Sequence, residues 1–141
     1  MHGAGYGSAP EVEVNSNPAF AHPSFYFRRI EQLRNIMVLN GDQGKQAWLL
    51  EFGWTTDQVN PQYSWYAVTP EQQADYVVRA YKFARDKWLP WIGPMFVWNI
   101  ADPAWTQDVE QYWWSITNPD GTTRPAFDAL QKARAAGGAL P

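Results

Sequence analysis

The sequence predicts an α/β domain in which parallel strands alternate with helices, and two observations lead to that prediction. The segments 47–54 (AWLLEFGW) and 95–102 (MFVWNIAD) are short and almost wholly apolar, as is typical of strands buried on both faces. Segments with apolar residues at helical spacing precede, separate and follow them. Because parallel strands must be joined by crossover connections, this order favours one sheet with helices packed against it.

The first helix is predicted to begin after Ser24, a candidate N-cap. The segment 2–24, which leads up to and includes Ser24, is rich in Gly, Ser, Pro and Asn and is typical of a loop. Charged residues, among them Arg34, fall on the outer face of this helix, and the segment 40–45 (NGDQGK) ends it. Its inward face is expected to comprise Tyr26, Phe27, Ile30, Leu33, Ile36 and Met37.

The second helix carries the clearest local signal. Thr69 can cap it, Pro70 stands at the first helical position, and Gln72 completes the spacing of a capping box. The loop before it, residues 55–69, is longer than the ~2 to 6 residues usual after a strand, which favours a functional loop. The inward face is expected to comprise Ala74, Val77, Val78, Tyr81, Ala84 and Trp88.

A third helix is predicted to start near Pro125 and to end at Gly137 and Gly138. The predicted order is therefore loop, helix, strand, helix, strand, helix. A chain of 141 residues has the size of one ordinary domain, so residues 1–141 are treated as a single unit.

Composition and charge exclude several classes of partner. The net charge is -3 and the eleven Lys and Arg residues are scattered, which disfavours nucleic acid and anionic membranes. There is no run of the ~18 apolar residues that a membrane span needs, and no signal-peptide pattern gives a compartment. With no cysteine, and with His2 and His22 lacking a third ligand at metal-binding spacing, we expect no metal or cofactor.

Aromatic residues are unusually frequent, with nine Trp, seven Tyr and seven Phe. Such rings can fill a core, and they are also the usual platforms for the apolar faces of sugar rings. Trp48 and Trp88 are predicted to lie in the core. Trp105, Trp113 and Trp114 can be sugar platforms or anchors of a protein interface, and the sequence leaves both alternatives open.

Glu51 stands near the end of the first predicted strand, and Trp98 lies in the corresponding region of the second. Parallel strands bring their carboxyl ends to one edge of a sheet, where ligand chemistry gathers in barrels and open sheets. If the two strands are neighbours, a carboxylate and an indole therefore face one pocket. A carboxylate flanked by apolar residues is costly to desolvate unless it has donors or a chemical role.

Three segments of the chain resemble parts of the clan A glycoside hydrolases, with most similarity to family 39 or cellulase-like members. WLLEFGW resembles the seventh strand of these (β/α)8 barrels, FVWNIAD the eighth, and YWWSITNPDGTTRPAFDAL the end of the domain; MHGAGYGS fits the mouth of the sixth. The family cleaves β-linked sugars with retention of configuration. The resemblance implies a partial TIM barrel, strands 6, 7 and 8 with their helices, without the first part of the barrel.

The resemblance also implies the roles of several residues. Glu51 corresponds to the catalytic nucleophile, and Trp98 to the floor of the sugar subsite beside the cleaved bond. The family's acid/base, a Glu in an Asn-Glu-Pro-like motif on the fourth strand, has no counterpart here; among possible substitutes, Asp102 ranks above Glu71 and Glu110. Further substrate-binding positions are His2, Tyr6, Trp54 and Asn99.

A partial barrel leaves one face of its sheet without cover, which predicts a homodimer or a higher oligomer. Three functions follow from the sequence. The first is a catalytically incomplete glycosidase fragment that self-associates. The second is a weak hydrolase completed by oligomerisation, and the third is a carbohydrate-binding module for β-linked oligosaccharides.

Overall fold

The computed structural model describes residues 1–137 and shows an open parallel sheet packed against helices. The strands are β1 (His2–Ala4), β2 (Ala47–Gly53) and β3 (Ile92–Val97), in the order β1-β2-β3. The helices are α1 (Arg29–Leu39), α2 (Pro61–Ser64), α3 (Pro70–Lys87), α4 (Glu110–Trp114) and α5 (Pro125–Ala135). The predicted α/β class, with parallel strands alternating with helices, is confirmed. Strand β1, however, lies in a segment that the residue pattern predicted to be a loop and where only the resemblance implied a strand.

The strand register determines which side chains meet at the carboxyl edge of the sheet. His2 of β1 pairs with Glu51 of β2. Phe52, the next residue of β2, pairs with Val97 of β3. Glu51 therefore lies between the start of β1 and the end of β3, although the three strands come from distant parts of the sequence.

The capping box of α3 forms as predicted. The Thr69 hydroxyl accepts a hydrogen bond from the Gln72 amide at 3.1 Å, and the Gln72 side chain accepts one from the Thr69 amide at 2.9 Å. Helix α3 covers one face of the sheet with Ala74, Val77, Ala80, Tyr81 and Ala84. Trp88, the residue that follows α3, is buried in the core as predicted.

Helix α1 differs from the prediction in its start and in its buried face. It begins at Arg29, because Pro23–Phe25 forms a separate 3-10 turn in which the His22 ring accepts a hydrogen bond from the Ser24 amide. Arg34, predicted to lie outside, is buried and donates to the carbonyls of Lys45 and Gln43 at 2.7 and 2.6 Å. With the Arg34 side of α1 turned toward this loop, Ile36 faces solvent instead of the core.

Residues 1–137 leave the opposite face of the sheet uncovered. Trp48, Leu50 and Phe96 are 50%, 54% and 51% exposed, so β2 is buried on one face rather than on both. The prediction that Trp48 lies in the core is wrong for the same reason: alternate residues of a strand point to opposite faces, and the helices pack on the other one.

The C-terminal helix α5 packs against α3 and buries Ala126, while Gly137 follows with a positive φ of 75°. Gly138, the other predicted end residue, lies outside the described residues. Within residues 1–137, no helix combines the length and the apolar character needed to cross a bilayer.

Candidate functional site

A pocket of about 290 Å³ opens at the carboxyl edge of the sheet. Residues from β1 and the loop after it, from β2, from the end of β3 and from α4 form its walls. They are His2, Ala4, Tyr6, Glu51, Phe52, Gly53, Trp98, Glu110, Gln111 and Trp114. The structure thus brings four of the sequence-predicted site positions together.

Glu51 presents its carboxylate to the pocket beside an imidazole. His2 Nδ1 lies 3.0 Å from Glu51 Oε2, a distance that forms an ion pair when the histidine is protonated. The parallel register produces this contact, because it places the two residues side by side on neighbouring strands. Both side chains remain open to solvent, which leaves the carboxylate accessible to a ligand.

Trp98 is held at the end of β3 by its backbone. Its amide donates to the Phe52 carbonyl at 2.8 Å. A β-carbon at position 53 would lie 3.0 Å from the Trp98 carbonyl oxygen, so glycine is needed there for the two chain segments to approach. The sequence Phe-Gly therefore holds the Trp98 backbone beside the end of β2, and Trp98 and Glu51 line the same pocket.

Tyr6 belongs to an aromatic cluster that forms the back of the pocket. Its ring centroid lies 4.5 Å from that of Tyr66 and 5.0 Å from that of Phe25. Burial raises the pKa of the Tyr6 hydroxyl, and the negative charge of Glu110 raises it further. The phenol is therefore neutral and can donate or accept hydrogen bonds at ordinary pH.

Trp54 and Asn99 do not line the pocket. Trp54 is fully buried, and its indole N–H donates to the Ser8 carbonyl at 2.8 Å. Gly5 passes directly over this ring, where a β-carbon would collide with the indole, so Trp54 supports the loop that carries Tyr6. Asn99 is also buried, and its Oδ1 accepts a hydrogen bond from the Ser115 hydroxyl at 2.7 Å.

Helix α4 contributes Glu110, which the sequence offered only as a lower-ranked substitute acid, Trp114, which it left open between sugar platform and interface anchor, and Gln111, which it did not assign. Glu110 and Trp114 stand one helical turn apart, and the Trp114 indole donates to Glu110 Oε1 at 3.1 Å. Their i,i+4 spacing was the available signal. Asp102, ranked first as a second carboxyl, is exposed away from the pocket and accepts from the Ala104 amide at 2.8 Å.

The late tryptophans have separate environments. Trp114 is buried against the pocket, whereas Trp113 donates its indole N–H to the Gln107 carbonyl at 2.9 Å and does not line the pocket. Trp105 is half-buried in the segment between β3 and α4. Of the three, only Trp114 is placed where it can contact a ligand in this pocket.

The described part of the chain contains no group of three or more His, Cys, Asp or Glu side chains arranged to hold a metal ion. Comparison with protein-family models and with curated proteins gives no match. The chemistry of the site is therefore read from its own residues: an accessible carboxylate, an imidazole beside it, aromatic rings and a second carboxylate from α4.

Proposed function

We propose that this chain carries the nucleophile side of a retaining β-glycosidase site, as the strand 6, 7 and 8 part of a (β/α)8 barrel. Its pocket would hold one ring of a β-linked oligosaccharide. The observation that supports this best is the joint placement of Glu51, His2, Tyr6 and Trp98 around one pocket at the carboxyl edge of a parallel sheet. The resemblance of segments 48–54 and 96–102 to the family's last two strands points to the same assignment.

In this proposal, Glu51 attacks the anomeric carbon and forms a glycosyl ester, while His2 orients the carboxylate through its Nδ1. The aromatic ring of Trp98 packs beneath the sugar. A retaining enzyme also needs a second carboxyl group about 5 Å from the first to protonate the leaving oxygen. Without that acid a loss of about 10²- to 10⁴-fold in rate is expected, so the chain alone should hydrolyse ordinary glycosides very slowly.

An activated substrate tests the nucleophile independently of the general acid. In 2,4-dinitrophenyl 2-deoxy-2-fluoro-β-glucoside the dinitrophenolate leaves with the electron pair of the C1–O bond and needs no proton. Glu51 would then form its bond to C1 without any general acid, and the fluorine slows hydrolysis of the ester. The corresponding xyloside extends the test to a second sugar class.

We expect the intact mass of the protein to rise by one fluorosugar, and peptide mapping to locate it on Glu51. Glu51→Gln should remain unlabelled. Glu71→Gln, an exposed glutamate in the first turn of α3, is the matched control and should be labelled at the wild-type rate. Failure of the wild type to react with either reagent, or a label on another residue, contradicts the proposal.

A carbohydrate-binding module is the second candidate, and the aromatic lining of the pocket favours it. Trp98, Trp114 and Tyr6 offer flat apolar surfaces beside polar groups, as sugar rings require. In that case cellobiose or xylobiose quenches tryptophan fluorescence saturably, yet Glu51 is never labelled. The pair of measurements distinguishes binding alone from a competent nucleophile.

The open face of the sheet supports self-association with a second copy of the chain. A two-fold interface needs a patch that is complementary to itself, and Trp48, Leu50 and Phe96 form an apolar patch that can stack on its own copy. Each half-exposed side chain offers on the order of 100 Å². Two copies then bury roughly 600 Å² through these residues, below the ~1,200 Å² of a stable specific interface.

The total accessible surface area is that expected of a compact monomer, which is consistent with only weak association. It is 7634 Å², close to the roughly 7,500 Å² expected for a compact monomer of this mass. We therefore expect a monomer–dimer equilibrium in sedimentation velocity at micromolar to millimolar concentration. Leu50→Lys should abolish the dimer and Leu39→Lys, on exposed α1 surface, should not. A monomer at every concentration contradicts the self-association proposal.

A further inference from the structure

One wall of the pocket is formed by α4, which contributes Glu110, Gln111 and Trp114. The proposed reaction gives no role to Glu110 or Gln111. None of them belongs to the two strand motifs on which the nucleophile and the aromatic floor were assigned. The wall and Glu51 line the same pocket, so a ligand that fills it contacts both.

Several contacts fix the position of this wall. Arg124 donates from one nitrogen to the carbonyls of Tyr112 and Ser115 at 2.6 and 3.1 Å. The Ser115 hydroxyl oxygen, which donates its proton to Asn99, lies 2.8 Å from the Gln111 carbonyl oxygen. Trp114 packs close to Gly53, at the end of the strand that carries Glu51. The short helix is thus tied to the sheet and to the start of α5.

Glu110 has one oxygen fixed and further acceptor capacity. Oε1 accepts the Trp114 indole N–H at 3.1 Å, and among the described residues no hydrogen bond to Oε2 is found. An ionised carboxylate offers about four acceptor sites, and sugar hydroxyls are donors. Gln111 beside it is exposed and can both donate and accept.

We infer that Glu110, assisted by Gln111, binds hydroxyl groups of the sugar and sets its orientation toward Glu51. This inference rests on the proposed function insofar as the ligand is a sugar. The negative charge of Glu110 also raises the pKa values of Tyr6 and Tyr66, after burial as the larger cause, which is consistent with a carboxylate close to the aromatic wall.

The experiment measures the affinity of cellobiose and xylobiose by titration calorimetry for the wild type and Glu110→Gln. The amide keeps an acceptor for the Trp114 indole but removes the charge, so the wall should stay in place; near-UV circular dichroism checks this. Loss of a charge-assisted hydrogen bond should weaken binding by about 10- to 100-fold. Glu71→Gln is the matched control and should bind as the wild type does.

Deoxy derivatives of the bound disaccharide separate recognition from a general structural effect. One deoxy derivative lacks the hydroxyl group that Glu110 binds, and the wild type should bind it about 10-fold more weakly than it binds the parent sugar. Glu110→Gln should bind this derivative and the parent sugar with equal affinity. If Glu110 has a purely structural role, each deoxy derivative loses the same factor of affinity, relative to the parent sugar, in the wild type and in Glu110→Gln. That additive result overturns the inference.

The outcomes also distinguish this inference from the proposed function. If the wild type binds the sugars and Glu110→Gln binds them equally well, the inference fails and the function of Glu51 is unaffected. If Glu110→Gln binds weakly but Glu51 is never labelled by the fluorosugar, the hydroxyl wall stands and the nucleophile assignment fails. If none of the disaccharides binds, both are overturned.

Discussion

The helix-covered face of the sheet and its open face are built from alternate residues of the same strands. Leu49 is fully buried, and its side chain and that of Ile30 in α1 both lie against Gly3 of β1. Its neighbour Leu50 points the other way and is 54% exposed. The apolar content of β2 therefore suits a sheet covered on both faces, while the described chain covers only one. We therefore expect the covered face to determine stability and the open face to carry the proposed self-association.

The largest expected effect compares these two leucines directly. Leu49→Ala leaves a cavity in a closed core and should lower the free energy of unfolding by about 2–5 kcal/mol. Leu50→Ala removes the same atoms from a solvated surface and should change it by less than about 0.5 kcal/mol. Urea unfolding at low protein concentration, where the chain is monomeric, measures both. Equal losses would mean that the open face is covered in solution.

The ionisation of Tyr81 tests how completely water is excluded from the covered face. Its hydroxyl donates to the Met95 carbonyl at 2.9 Å, and burial raises its pKa to about 12. The unfolded chain ionises this group near pH 10. The tyrosine therefore contributes stability that is fully present below pH 10 and is lost as the pH rises toward 12, by about 2–3 kcal/mol in total.

The check is the pH dependence of urea unfolding for the wild type and Tyr81→Phe. The wild type should lose more stability than the variant between pH 10 and 12, and the difference between them isolates Tyr81 from other tyrosines such as Tyr66. Parallel curves would show that the ring is solvated in the native state, and the covered face would then resemble the open one.

Sequence reasoning predicted the elements whose signals are local. Helix α3 follows from Thr69, Pro70 and the 3.6-residue spacing of its apolar residues, all of which act within the segment itself. The start of α1 was missed because a Pro-Ser-Phe turn competes with the helix. Arg34 was misplaced because its burial depends on the carbonyls of Gln43 and Lys45, which only the folded loop brings near.

The site divides in the same way. Parallel strand order was enough to bring Glu51 and Trp98 to one edge. The i,i+4 spacing of Glu110 and Trp114 fits a helical turn, but the placement of that five-residue helix at the pocket depends on the path of the preceding loop, which no local signal predicts. Trp54 was expected to line the pocket. Instead, the loop after β1 crosses the Trp54 indole at Gly5, where no side chain obstructs the approach, and the indole is closed off from solvent.

The smallest expected effect concerns the N-terminal cap of α3 and its contribution to the stability of the covered face. Thr69→Ala removes the side-chain half of the capping box and should lower the free energy of unfolding by about 1 kcal/mol, while Thr69→Ser should restore most of it. Amide hydrogen exchange in the first turn of α3 should rise in the alanine variant and leave β2 unchanged. If exchange rises across β2 as well, the cap is coupled to the packing of the sheet, and the covered face opens as one unit rather than from the helix end.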